Sequence, residues 1–176
     1  MYRTAVFTLL ALVLVSCQPM LKSNREATAT AYAAMNMKEA MRVAEESALA
    51  QCNLDLDESP EEYISGICEL STELTCSLLK EEIKDNWEMM QEQYISRKME
   101  CTTSSSRLLE VGEQYGKRVQ YWQVNLEGVE GFSDGVSSRA YWLQIAEENG
   151  HWKFNRSMDT GEVSVYLALD NIEKER

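Results

Sequence analysis

Six side chains in this sequence have chemistry that its many acids and alkyl groups lack: the cysteines Cys17, Cys52, Cys68, Cys76 and Cys101, and a single histidine, His151. Histidine is the side chain whose unperturbed pKa lies near neutral pH, which makes His151 the first candidate for general acid–base work. Asn149-Gly150, just before it, is the strongest hairpin signal in the chain, because a type I′ turn needs positive φ at both central positions. That turn pairs Glu148 with His151, Glu147 with Trp152 and Ile145 with Phe154, and sets His151 on the face opposite Trp152 and Phe154 as a solvated residue. No GxSxG, HExxH, P-loop or GxGxxG pattern occurs. With 29 acidic residues, any chosen carboxylate pair is expected by chance, so no catalytic residue is assigned and the chain is read as a non-enzyme. Asp55-Leu56-Asp57-Glu58 lacks the sixth-position Gly and twelfth-position Glu of a calcium loop and reads as an acidic connection. No CxxC is present and His151 is distant in sequence, so neither a metal nor a cofactor is expected.

Cys17 follows Arg3 and an uninterrupted apolar run of 11 residues from Ala5 to Val15. The run is too short to span a bilayer, which takes about 20 residues, and has the proportions of a signal-peptide core. Leu14-Val15-Ser16-Cys17 resembles the lipobox of bacterial lipoproteins at all four positions. The resemblance implies removal of residues 1–16, a diacylglycerol thioether on Cys17, and an extracytoplasmic protein held to the cell envelope by lipid. Gln18 is not the Asp that favours inner-membrane retention, so the outer membrane is favoured where the host has two. Residues 17–26 then form the lipidated cysteine and a tether, and 27–176 a single domain.

Removing the first 16 of 176 residues leaves 160, the size of one domain with a full core. It also leaves 16 basic against 29 acidic residues, a charge of about −13 that repels phosphate backbones and anionic headgroups. Nucleic acid is therefore excluded as a partner, and the membrane is reached through lipid alone. The remaining cysteines, Cys52, Cys68, Cys76 and Cys101, are an even set outside the cytoplasm and are expected to form two disulfides. If residues 61–82 are one helix, Cys68 and Cys76 lie about 12 Å apart at 1.5 Å per residue. A disulfide needs Cα atoms within about 7 Å, which disfavours that pair. Cys52–Cys68 with Cys76–Cys101 is favoured, with the crossed arrangement as alternative.

The elements read in order. Residues 27–52 are rich in Ala, Met and Glu without Gly or Pro, and Ala33, Met37, Ala40, Met41, Ala44, Ala48 and Cys52 form one helical stripe of mostly small residues. Ser59-Pro60-Glu61-Glu62 starts a second helix, with Tyr63, Ile67, Leu70, Leu74 and Leu78 inward. Ile83, Trp87, Met90 and Tyr94 mark either a second helical piece or a continuation of the same helix with a bend near Asp85-Asn86. Thr102 to Ser106 reads as a polar turn, after which Lys117–Val129 and Arg139–Glu148 alternate as strands. Val163, Val165, Leu167 and Leu169 alternate like one more strand, with a short terminal helix as the alternative. The class is α+β, N-terminal helices packed on a C-terminal antiparallel meander.

This order, the Ala-rich first helix and Glu148-Asn149-Gly150-His151-Trp152-Lys153-Phe154 resemble the NTF2-like, cystatin-like cone. The resemblance implies a curved sheet around a helix and an interior lined by Trp122, Tyr141, Trp152 and Phe154. It leaves a lipid-anchored binding or interaction module as the first reading, its cone either holding a small apolar ligand or simply filled by its own aromatics, with an envelope protein as the other candidate partner. A structural or assembly component of an envelope, secretion or transfer apparatus is the alternative, and a small hydrolase or isomerase the third. The lipobox reading makes a direct prediction: a fatty-acid analogue fed to cells should label the wild-type protein but not Cys17→Ser, and equal labelling of both would contradict it.

Overall fold

The computed structural model describes residue 33 and residues 36–93, 100–129 and 136–174. Cys17, the signal segment and Tyr94 lie outside the described residues. Internal contacts divide the chain into two units, Met1–Lys38 and Glu39–Arg176. In the first, the described residues are helical and Met37 is exposed.

Helix α1 (residues 36–52) carries Ala40, Ala44 and Ala48 at full burial, with Val43 and Cys52 beside them, on the stripe expected from sequence. Small side chains bring its backbone close to a sheet whose inner face is made of Trp122, Val124, Leu126, Leu143, Ile145, Trp152 and Phe154, all in one buried cluster with the alanines. Burying a side chain such as Leu143 or Ile145 contributes roughly 1.5–3 kcal/mol. The sheet is a plain antiparallel meander of β1 (Glu100–Gln114), β2 (Lys117–Val129), β3 (Val136–Glu148) and β4 (His151–Ser157). The chain is therefore α+β with helices first, as its sequence indicates.

Both tight hairpins use two residues at positive φ: Tyr115 (52°) with Gly116 (74°), and Asn149 (53°) with Gly150 (82°). Ile145 pairs with Phe154, Glu147 with Trp152 and Glu148 with His151, the expected register. Strand β1 differs from expectation. The Ser/Thr run read as a turn lies inside it, bent by register shifts between Thr103 and Ser105 and between Leu108 and Glu110. Thr suits a pleated strand, and on an edge strand its hydroxyls reach solvent or a neighbouring carbonyl, as Thr102 does at Glu127 O.

The stretch from Pro60 onward is two helices, α2 (Pro60–Leu70) and α3 (Glu73–Gln93), divided at Ser71-Thr72. The division corrects two expectations. It brings the Cys68 and Cys76 Cα atoms to 4.8 Å, and these two cysteines are bonded; the other disulfide is Cys52–Cys101. Neither favoured pairing occurs, because the distance argument assumed an unbroken helix. It also resets the helical phase, so Leu74 and Leu78 are exposed while Ile83 and Trp87 are buried. Helix α3 runs through Asp85-Asn86 without ending there.

The break is held from several sides. Thr72 N donates to Phe154 O at 2.8 Å, and Ser71 forms a parallel bridge to the same residue. Thr72 caps α3, accepting from Thr75 N at 3.3 Å through its hydroxyl and from Cys76 N at 2.9 Å through its carbonyl. Lys153 Nζ donates to Glu69 O at 2.6 Å at the end of α2. The free edge of β4 is thus occupied by the chain's own backbone, which blunts an edge otherwise open to strand pairing.

The terminal stretch is helix α4 (Thr160–Lys174), not a strand. Asp159 and Glu162 exchange backbone and carboxylate bonds at 2.9 Å in each direction, a reciprocal cap that fixes the helix start. The hairpin gives the test of register. Nothing crowds a Cβ at Gly150, but its φ of +82° strains any L side chain, so Gly150→Val should cost about 1–2 kcal/mol. His151→Ala should stay within about 0.5 kcal/mol. Thermal denaturation ranks them, and the reverse order would contradict the turn.

Candidate functional site

The four aromatics expected to line a pocket do not act together. Trp122 and Trp152 are 3% and 4% exposed, packed in the core between α1 and the sheet. The Trp122 indole N–H donates to Gln120 Oε1 at 3.0 Å, satisfying a buried donor within the same strand face. Arg118 covers Trp152 at 5.6 Å from the ring centroid and bonds Glu147 at 2.5 Å, and that bond holds the Glu147 carboxyl below the usual carboxylate range. The space between α1 and the sheet is filled here by these side chains. His151 is exposed, with Nδ1 3.8 Å from a Glu39 carboxylate oxygen.

Tyr141 and Phe154 instead line an open groove of about 800 Å³ between α3 and the β3–β4 end of the sheet. Its helix wall is Leu78, Leu79, Glu82, Ile83, Asn86, Met89 and Met90; its strand wall includes Arg139, Asn155 and Arg156. The floor continues into a second apolar cluster of Leu54, Leu56, Ile64, Ile67, Ile83 and Trp87, with Tyr63 tilted against Trp87 at 5.7 Å. Leu54 and Leu56 come from the acidic connection, so that segment is anchored by alternate leucines and carries its acids outward. The groove follows from the helix break: α3 starts at Thr72 on β4 and leaves the sheet along this line.

On the opposite sheet face lies a polar cluster that sequence reading missed. Gln144 is fully buried there, donating to Gln114 Oε1 at 2.9 Å and Tyr121 Oη at 2.8 Å and accepting from Asn155 Nδ2 at 2.6 Å. Tyr166 of α4 donates to Glu110 at 2.5 Å; burial first, then that carboxylate, pushes its phenol up. Arg156 grips Glu162 through two bonds of 2.5 and 2.6 Å, and the Glu162 carboxyl is lowered to about 2, chiefly by that contact. Every hydrogen-bonding group of the Gln144 side chain has a partner, so the cluster reads as the polar seat of α4. Gln144, a polar residue within the apolar alternation of β3, was the available signal. Among the described residues, no three of His, Cys, Asp and Glu converge as a metal site.

No protein-family model and no curated protein matches the chain. The fold is similar to that of a periplasmic fragment of TraM. That structure superposes with a TM-score of 0.51 at 14% identity, over 69% of this chain and 95% of the fragment. A solution structure of the putative transfer protein TraH from a Gram-positive conjugative plasmid gives 0.46 at 16% identity, over 72% and 97%. The likeness to the TraM fragment is one of fold.

The Arg156–Glu162 pair generates a pH prediction. A carboxyl lowered from 4.5 to about 2 in the folded state adds stability above its unfolded value and loses it as pH falls through 2. Because both side chains are about a third exposed, solvent screening limits the effect to roughly 0.5–1 kcal/mol. Glu162→Gln should lower the melting temperature by about 2–4 °C at neutral pH, with the gap to wild type closing near pH 2. Equal melting at neutral pH would contradict a stabilising role for the pair.

Proposed function

We propose that this protein is a lipid-anchored, extracytoplasmic structural or assembly component of a cell-envelope transfer apparatus. The observation that carries the reading is the filled interior: Trp122, Trp152, Leu143 and Ile145 occupy the space in which a small apolar ligand would sit. What the fold leaves to other molecules is surface, an open groove and an acidic exterior. The shared fold with a periplasmic fragment of TraM supports the same reading. Among the described residues no helix is long and apolar enough to cross a membrane, which suits anchorage by lipid on Cys17. The two disulfides suit an oxidising compartment. The outer membrane is the favoured site where there are two, on the strength of Gln18. The strong negative charge leaves nucleic acid out as a direct partner.

The test is migration of the tagged full chain from gently solubilised host envelopes. The reading expects the protein in the membrane fraction and in an assembly well above monomer mass. Migration as a free monomer at all detergent strengths would overturn it.

A further inference from the structure

We infer that α3 and the groove beside it form a docking face for an amphipathic, cationic helix of a partner protein, an inference that rests on the assembly reading and names the chemistry of the partner. Three large apolar side chains of α3 are exposed, Leu74 at 69%, Leu78 at 59% and Met89 at 45%. At about 100° per residue they fall on one side of the helix, together with Glu81, Glu82, Asp85, Glu88 and Glu92, all within about 120° of the circumference. These five carboxylates are exposed, and among the described residues of α3 no lysine or arginine falls within that arc. The two lysines of the helix lie beyond the edge of that arc, on the side of α2: Lys84 bonds Glu61 of α2 at 3.3 Å, and Lys80 lines the same α2–α3 crevice. The strand wall of the groove contributes two arginines, Arg139 and Arg156, and Glu162 holds the second.

Length and charge select the occupant. From Leu74 to Met89 the exposed stripe runs about 22 Å along the helix, four turns, which exceeds a small molecule and matches a helical segment of about 15 residues. An anionic lipid surface and a second copy of this acidic face are both repelled by the carboxylates. A segment with an apolar stripe beside one row of Lys or Arg satisfies both parts: its apolar residues enter between Leu78, Met89 and Tyr141, and its cations lie over Glu82 at the groove and over the exposed Glu81 and Asp85 of the same helix, on the side away from the strand-wall arginines. The paired methionines Met89 and Met90 at the groove wall are flexible enough to fit the incoming side chains.

The probe is a labelled synthetic helix of Leu and Lys, with Leu at helical spacing, titrated onto the full chain held in phosphatidylcholine nanodiscs, with empty discs subtracted. Binding in the micromolar range is expected, weakened at least tenfold by Leu78→Asp with Met89→Asp and weakened also by added salt. Both substituted side chains are largely exposed, and an unchanged melting temperature confirms that the variant is folded. Equal affinity for the variant, equal binding of a Leu/Glu helix, adsorption of the protein to phosphatidylglycerol vesicles through this face, or self-association abolished by the two substitutions would each overturn the inference. A high-mass envelope assembly without peptide binding would remove this docking face and leave the assembly reading standing; free monomers in the envelope with peptide binding would do the opposite.

Discussion

The hydrogen bond from Thr72 N to Phe154 O decides where α3 goes. It fixes a two-residue break between helices onto the last strand of the sheet, and the Cys68–Cys76 bridge closes the chain on either side of that break. An edge strand would otherwise offer a row of unpaired backbone groups, and a continuous helix over residues 61–82 would have no reason to approach it. The break supplies an extended residue that pairs with the strand and a hydroxyl that starts the next helix. Thr75 adds a side-chain bond to Asn155 O, and Glu73 N donates to Glu148 at 3.1 Å, so the positive end of α3 meets a carboxylate as well as a strand. From this seat α3 runs out along the β3–β4 end, and the groove is the space it leaves.

The two faces of the sheet are closed by different physics. The inner face is apolar, with α1 packed on it through Ala40, Ala44 and Ala48, and Cys52–Cys101 ties the end of that helix to the first strand. Asn53 Oδ1 accepts the Cys101 amide at 2.6 Å beside the bridge, and a Cβ at Gly128 would stand 3.0 Å from the Cys101 sulfur, so the neighbouring strand is glycine where the bridge passes. The outer face is mixed. Val119 and Ala146 are buried there together with Gln144, and α4 is held by charged and phenolic bonds in place of a broad apolar stripe. A helix seated that way depends on its polar partners being complete.

How much of this could be read from sequence followed from how local the determining interaction is. The alanine stripe of α1 and the Asn149-Gly150 register each depend on residues a few positions apart, and both were legible. Of the four aromatics singled out in the sequence, Trp122 and Trp152 pack in the core, while Tyr141 and Phe154 line the groove beside α3, a place that the sequence reading did not single out. The helix break depends on a strand 83 residues away in sequence, through Thr72 and Asn155, although the hydroxyls of Thr72 and Thr75 were a local capping signal that outweighs helical periodicity there. Helix α4 shows a similar conflict: Val163, Val165 and Leu167 alternate like a strand, but the Asp159–Glu162 cap fixes helical dihedrals before that alternation can matter. Cysteine pairing inherited the error, because spacing was converted to distance through a helix that is not continuous.

The Ser71-Thr72 break is a fixed structural joint on which α3 and its groove depend. Native-state hydrogen exchange at the Thr72 amide reads that joint. Protection close to that of the β2–β3 amides is expected in the oxidised protein, and loss of that protection in Cys68→Ala with Cys76→Ala while the central strands stay protected. A Thr72 amide that exchanges as fast as an exposed loop in the intact protein would contradict it.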